Sequence, residues 1–432
     1  MKDFLIWFVY NILFAIGYTL MMPKFLLRMW RRGGYRADFS QRFGNYDEAL
    51  LEKIQTKRRI WLHAVSVGEV FPGKGFILTT TTSTGHAQAE KKMAEDDVLL
   101  YFPTDLPFIA KKVVRLLNPV AVVLTEGELW PNLLRQLKRK QVPVFVINGR
   151  MSASSFRGYR KVIPFFRRAV ALVDLIMVQS FVDKHRFIDL GTPKEKVIVM
   201  GSAKYDVARP DPSSIENAKR ILRDAGMNPD GMILVGGSTW PGEENVLLEI
   251  FSKLRECNPK LQFILVPRHM ERRNEVEEII KSSGLMYVKR TDMGKKFEKL
   301  KKRNGNGASD GPCVLLADTT GELMGYYGIG TVVFVGKSLG DNEGGQNPIE
   351  PAMFEKPIVV GPHMENFPGV MDDFIDAKAL IQVADTDELE RQLTALLGDS
   401  DMRKSYGERA GTLVAEKRGV VARSIELMRE RI

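Results

Sequence analysis

The sequence predicts an α/β protein made of two doubly wound halves behind an N-terminal apolar helix, and three observations carry that prediction. Short apolar runs alternate with amphipathic stretches along most of the 432 residues, the pattern of parallel strands joined by crossover helices. Near the middle, Arg209-Pro210-Asp211-Pro212-Ser213-Ser214 interrupts the pattern with two prolines that do not continue regular structure. At the start, Phe4 to Met22 runs for 19 residues without a charge, about the length that a helix needs to cross a bilayer.

Those boundaries divide the chain into a membrane anchor with a basic juxtamembrane segment (1–36), an N-terminal Rossmann-like domain (37–208) and a C-terminal one (209–432). The terminal helices are expected to pack back towards the first domain. Hydrophobic residues make up 44% and charged residues 27%, which suits a globular chain and argues against disorder. Lys plus Arg exceeds Asp plus Glu, 63 against 53, so anionic partners are favoured. Cys257 and Cys313 are the only cysteines, without a CxxC pair, and no histidine pair has HxxxH or HExxH spacing. Neither a disulfide framework nor a zinc site is indicated. Nucleic-acid binding has little support, because the basic residues lack interleaved stacking aromatics.

Taken in order, the anchor comes first. Lys2 and Asp3 leave its start neutral and no cleavage site follows, which disfavours a signal peptide. Lys24, Arg28, Arg31, Arg32 and Arg36 crowd its exit, placing the remainder in the cytoplasm by the positive-inside rule. A spanning helix meets the length criterion, and an interfacial one is the alternative. In the first half, Ile60 to Ser66 reads as a strand with Glu69 just beyond its end. Ala121 to Glu126 reads as a second, with Glu128 ahead of a helix starting near Pro131. Two carboxylates on one rim suit a general base and a group that orients it or the acceptor; helix-dipole compensation is the plainer reading of each alone. Val144 to Ile147, Asp174 to Gln179 and Val197 to Met200 read as further strands, with Arg150 and Lys204 beyond the first and last of these. Between them Arg157, Arg160, Lys161, Arg167 and Arg168 alternate with Phe165, Phe166, Val170 and Leu172, as in an amphipathic helix lying near a membrane.

The second half restarts with strands at Met232 to Val235 and Phe263 to Val266, the first followed by Gly236-Gly237-Ser238-Thr239, the second by Arg268. Glycines and hydroxyls at a strand-to-helix turn suit a phosphate, and an arginine pairs with one. Lys289 to Asp310 reads as a surface excursion. Then come a strand ending at Asp318, a helix start at Gly321-Glu322, the strand Thr331 to Val335, and Gly344-Gly345-Gln346-Asn347-Pro348-Ile349-Glu350 opening another helix. A nucleotide site follows naturally: Gly344 and Gly345 let backbone approach a ligand, Asn347 caps the helix, and Glu350 can accept from ribose hydroxyls. From Asp387 onward two helical patterns end the chain.

Nine motifs, in order, carry a closer resemblance. HAVSVGEV (63–70), TTTTSTG (79–85), GELWPN (127–132), INGRMS (147–152), GSTWPGEE (237–244), PRH (267–269), DTTGEL (318–323), GGQNPIEPA (344–352) and GPHMENF (361–367) resemble the Kdo transferases of lipopolysaccharide synthesis, which have the GT-B glycosyltransferase fold, two doubly wound domains facing a cleft. The resemblance implies inverting transfer of 3-deoxy-D-manno-octulosonic acid (Kdo) from CMP-Kdo to a lipid A precursor, at the cytoplasmic face of an inner membrane bearing anionic lipid. It implies Glu69 as general base with Glu128 as the second acid. It also implies CMP-sugar binding by Ser238, Thr239, Arg268, Asp318, Gly321, Glu322, Gly344, Gly345, Asn347 and Glu350, acceptor binding by Arg150 and Lys204, and no metal or other cofactor. Gln346 stands where the family usually has His. The connection Val67 to Gly75 is shorter than the family's, so an irregular loop over Val70 to Gly75 and an open pocket beside Glu69 are expected. The rival reading is a catalytically impaired, tethered protein that binds nucleotide or lipid.

Overall fold

The computed structural model describes residues 2–32, 38–63, 75–207, 211–293 and 311–432. Glu69 and the loop expected from Val70 lie outside these residues. The chain forms two compact units, residues 1–203 with 419–432, and residues 204–418.

In the first unit seven parallel strands are β1 (Ile60–His63), β2 (Phe76–Thr80), β3 (Val98–Tyr101), β4 (Val122–Thr125), β5 (Val144–Gly149), β6 (Leu175–Val178) and β7 (Val197–Val199). Their order is β3-β2-β1-β4-β5-β6-β7. Strand residues are mostly apolar because both faces are covered, with His63, Thr79, Thr80, Thr125 and Asn148 towards the carboxyl ends. Trp61, Ile77, Val122 and Val146 point into one core layer, while Leu62, Leu78, Val123 and Phe145 point into the other. The second layer is completed by the last helix of the chain, Val420–Arg429, through Met428, Val421 and Ile425.

The second unit repeats the design with β8 (Ile233–Thr239), β9 (Gln262–Pro267), β10 (Tyr287–Lys289), β11 (Val314–Leu316), β12 (Val332–Val335), β13 (Ile358–Val360) and β14 (Ile381–Gln382). All are parallel, in the order β10-β11-β9-β8-β12-β13-β14. Each sheet thus reverses its winding once, between β1 and β4 and between β8 and β12. In open α/β sheets ligands bind outside the carboxyl ends of the strands at such a reversal.

Four readings need correction. Pro212 does not end regular structure; it opens the helix Pro212–Asp224, whose first turn is capped by Asp211, and a proline at a first helical position costs no hydrogen bond. Three helices end the chain, not two: Thr386–Gly398, Ser400–Lys417 and Val420–Arg429. Asp399 separates the first two and caps the second, and Gly419, at φ +85°, separates the last. The excursion after Lys289 is preceded by an edge strand, β10. The basic stretch after Arg150 forms two helices, Ala153–Arg160 and Ile163–Val170, and Phe165 and Phe166 pack against protein: Phe165 stacks on Tyr10 and Phe166 lies in the core.

Candidate active site

At the reversal of the first sheet, β1 ends in His63 and β4 runs into a tight turn where Glu126 has φ +62° and Gly127 φ +110°. The turn is held by Glu126 N–H donating to Ile147 O and Arg150 N–H donating to Glu126 O, both at 3.1 Å. It brings the Glu128 carboxylate to His63, Nε2 to Oε2 being 2.9 Å. The other ring nitrogen, Nδ1, lies 3.1 Å from the Thr79 hydroxyl, which also accepts from the Trp61 indole at 2.9 Å. The ring is thus held at both nitrogens, Nε2 facing the Glu128 carboxylate and Nδ1 facing the Thr79 carbonyl at 3.0 Å as well as its hydroxyl, which itself donates to Leu62 O. The ring is buried and lies against Phe102, tilted by 33° with centroids 3.8 Å apart, so its direction is fixed. Glu128 itself is half exposed, and the bond from His63 holds its carboxyl below the usual carboxylate range. The result is an ionised carboxylate, oriented from behind and open in front.

Arg150 is exposed at the end of β5. Lys204 belongs to the second unit, where its ammonium lies 3.9 Å above the Phe367 ring and donates to the Asn366 carbonyl. The two acceptor candidates therefore stand in different units.

The reversal of the second sheet gathers most of the nucleotide candidates. β8 bulges at its end, where Ser238 takes φ +54°, and β12 leads into Lys337 at φ +59°. Non-glycine residues with positive φ are uncommon and concentrate where structure is constrained for function; Glu126, Asn148, Ser238 and Lys337 all sit at carboxyl ends of strands. Glu243, buried, accepts four backbone N–H bonds: from Trp240 at 2.8 Å, Lys337 and Ser338 at 2.9 Å, and Leu339 at 3.1 Å. It thereby staples the loop after β12 to the turn after β8. Glu244 is equally buried, held by Arg272 and the Thr239 hydroxyl. Thr239 thus spends its side chain inside the protein. Arg268 projects from the end of β9, exposed, and among the described residues none bonds its guanidinium.

Asn347 accepts from Ile349 N–H at 3.2 Å and donates to Glu350 at 3.3 Å. Burial pushes Glu350 above the usual range, with Asn347 and the nearby Arg268 opposing. The phenol of the fully buried Tyr327 and the Trp240 indole N–H have no hydrogen-bond partner among the described residues; both are at this rim, and a buried polar group without a partner calls for one. Gly344 and Gly345 are required by backbone rather than by a free N–H. Gly344, at φ +108°, donates to Glu365, and Gly345, at φ +68°, donates to Lys337 O. A Cβ on either would stand within 2.3 Å of Asn366 or Met364. Asp318 accepts from Thr291, and Glu322 pairs with Arg290 at 2.9 Å and accepts from Tyr326. Both carboxylates hold the turn at 290–292. Gly321 is exposed at φ +90°. Among the described residues no group of three or more His, Cys, Asp or Glu side chains has the arrangement of a metal site.

A family model for 3-deoxy-D-manno-octulosonic-acid transferase (kdotransferase) matches residues 37–207. The 3-deoxy-D-manno-octulosonic acid transferase of Haemophilus influenzae is 31% identical over 98% of both chains. The chain belongs to the Kdo transferase family. The Bordetella pertussis 3-deoxy-D-manno-octulosonic acid transferase is 30% identical over 96% of this chain and 98% of its own. The fold has wider relatives: a glycosyltransferase from Rickettsia africae superposes with a TM-score of 0.55 over 87% of this chain and 99% of its own, at 14% identity. This Kdo transferase is therefore a glycosyltransferase of lipopolysaccharide synthesis with two parallel seven-stranded sheets of the GT-B kind and an apolar N-terminal helix.

Sequence reasoning missed the residues that hold this site from behind. His63 enters the sequence reading only as the first residue of the HAVSVGEV motif, and the paired acids of GSTWPGEE are supports. Motif membership was the available signal. It marked these residues without saying which way they point.

Proposed function

We propose that this Kdo transferase moves Kdo from CMP-Kdo to a hydroxyl of a lipid A precursor, with inversion at the anomeric carbon, on the cytoplasmic side of the inner membrane. The observation that carries the reading is Glu128, an ionised, half-exposed carboxylate aimed by His63 at the reversal of the first sheet. In this scheme Glu69 takes the acceptor proton as the hydroxyl oxygen bonds to the anomeric carbon, while the bond from that carbon to the phosphate oxygen breaks and CMP leaves with the electron pair. Glu128 orients the acceptor hydroxyl or the base. The charge gathering on the departing phosphate meets the Arg268 guanidinium and needs no metal. Glu350 and Asn347 bind the ribose, and the buried Tyr327 and Trp240 donors, unpartnered among the described residues, lie on the same rim. A basic surface, net +10, suits both the phosphorylated acceptor and an anionic membrane.

The test measures CMP release from CMP-Kdo with and without a lipid A precursor, in the presence and absence of a chelator. Acceptor-dependent release that survives chelation is expected, as is a fall of roughly 10² or more in Glu69→Gln with CMP binding retained. Binding of CMP-Kdo without acceptor-dependent release would instead establish a tethered binding protein.

A further inference from the structure

The N-terminal helix, Lys2–Arg32, has two unlike faces, and the first unit uses one of them. Trp7, Tyr10, Asn11, Phe14 and Tyr18 follow the i, i+3, i+4, i+7, i+11 spacing of one helix face and so form one stripe. Tyr10 donates to Asp105 Oδ2 at 2.9 Å and stacks on Phe165 with centroids 4.8 Å apart. The Asn132 side-chain amide donates to Asn11 at 2.8 Å, and the Tyr18 and Thr104 hydroxyls lie 3.2 Å apart. Trp7 is buried against Phe165, with the Arg135 guanidinium 4.5 Å from its ring. The opposite stripe, Leu5, Phe8, Ile12, Leu13, Ile16 and Leu20, is exposed, Leu13 at 64% and Leu20 at 75%.

We infer that this helix is an in-plane anchor: it lies along the bilayer surface with the Trp7–Tyr18 stripe clamped to the first unit and the Leu5–Leu20 stripe sunk in the acyl boundary, and it does not cross the membrane. A crossing helix must offer lipid all of its sides, or other apolar helices. The clamped stretch from Trp7 to Tyr18 is about 16 Å long at 1.5 Å per residue, over half of a hydrocarbon core of about 30 Å. Were the helix upright, that stretch would take Asp105, Asn132 and Arg135 into the hydrocarbon with it, where charged groups are costly even by the lower of the accepted scales. Lying flat, the same helix keeps these groups on the water side and buries only aliphatic and aromatic side chains. Phe108, three residues after Asp105, is also exposed. The basic residues of the helices Pro131–Arg139 and Ala153–Arg160 supply the charge that anionic headgroups attract.

The clamp also reaches the site. Asp105 accepts from Asn132 N–H at 3.0 Å and Leu133 N–H at 2.8 Å, closing the first turn of the helix that follows Glu128. One carboxylate thus joins the anchor to the Glu128 turn, so that the turn is held at a set height above the lipid. On the reading of Glu128 as part of an acceptor site, that height places it beside the headgroup of a membrane-borne acceptor.

The experiment maps both helix ends in the full chain, in the membrane, on a Cys257→Ser background, since Cys257 is exposed and Cys313 buried. Lys2→Cys and Asp38→Cys are reacted with a membrane-impermeant maleimide in intact spheroplasts and in inside-out vesicles. Both sites are expected to label in inside-out vesicles and neither in spheroplasts. Labelling of Lys2→Cys in spheroplasts, or only after detergent, overturns the inference whatever the enzyme's activity. A Trp7→Cys, Phe165→Cys pair is expected to cross-link in membranes with a short bifunctional thiol reagent; failure to do so while both thiols react singly overturns the clamp. CMP release by each variant shows that the fold is intact and reads the catalytic proposal separately.

Discussion

Glu243 gives the sharpest test of how the second unit builds its site. Replacing it with Ala removes the acceptor for four backbone N–H groups at once. Ser338 is fully buried and Leu339 nearly so, whereas Trp240 and Lys337 are partly exposed and can turn to water. The cost therefore comes mainly from two buried donors at about 1–3 kcal/mol each, and a water entering the vacated space keeps the sum near 3 kcal/mol rather than 6. Since about 1.4 kcal/mol is a factor of ten, amide exchange at Lys337, Ser338 and Leu339 should quicken by about 10² in Glu243→Ala. Because this loop carries Lys337 and pairs with Gly345 and Gln346, CMP affinity should fall as well. Glu243→Gln keeps one acceptor oxygen but turns an amide N–H₂ towards the remaining donors, so it should fall in between. Hydrogen-exchange mass spectrometry of the peptide spanning 336–340, with CMP calorimetry, reads both effects. Exchange within about threefold of wild type and unchanged CMP affinity would refute the view of Glu243 as the staple of this loop.

Three further outcomes are expected. Glu128→Gln should lower transfer by roughly 10² with CMP affinity kept, and His63→Ala should reproduce most of that loss by freeing the carboxylate; near-normal turnover in both would remove the pair from the chemistry. Asn347→Ala and Glu350→Ala should each weaken CMP binding by about 1–3 kcal/mol through lost polar partners, and calorimetry showing no change for either would move the ribose site elsewhere. Burial pushes the Asp105 carboxyl up to about 6, against the pull of the Asn132 and Leu133 N–H groups and Tyr10. A folded-state value above the unfolded one contributes stability that is full below about pH 4 and is lost as pH rises through about 6. The unfolding free energy of wild type relative to Asp105→Asn should therefore fall by about 1.4 kcal/mol between pH 5 and pH 7.5 in urea titrations, and a flat difference would show that the anchor does not desolvate this carboxylate.

The sequence by itself determined most of the strand-to-helix alternation, the position of the apolar helix and, through nine ordered motifs, the family. These are local properties: a buried parallel strand is an apolar run whatever it pairs with, and a turn motif is read within a few residues. The same locality explains the misses. Short edge strands such as Tyr287–Lys289 and Ile381–Gln382 bury too few residues to stand out, and Pro212 reads alike as a breaker or as the first residue of a helix. Only the tertiary structure decided what lies between distant residues. Pairing β1 with β4 sets His63 against Glu128, 65 positions away, and pairing β8 with β12 sets Glu243 under Ser338, 95 positions away. An apolar helical stretch of 20 residues, Leu5–Lys24, satisfies a length criterion for crossing a membrane, but which of the helix's faces meets protein follows from Asp105, Asn132 and Phe165. Those residues reach it only because the sheet places the ends of β3 and β4, and the helix before β6, on the side where it lies.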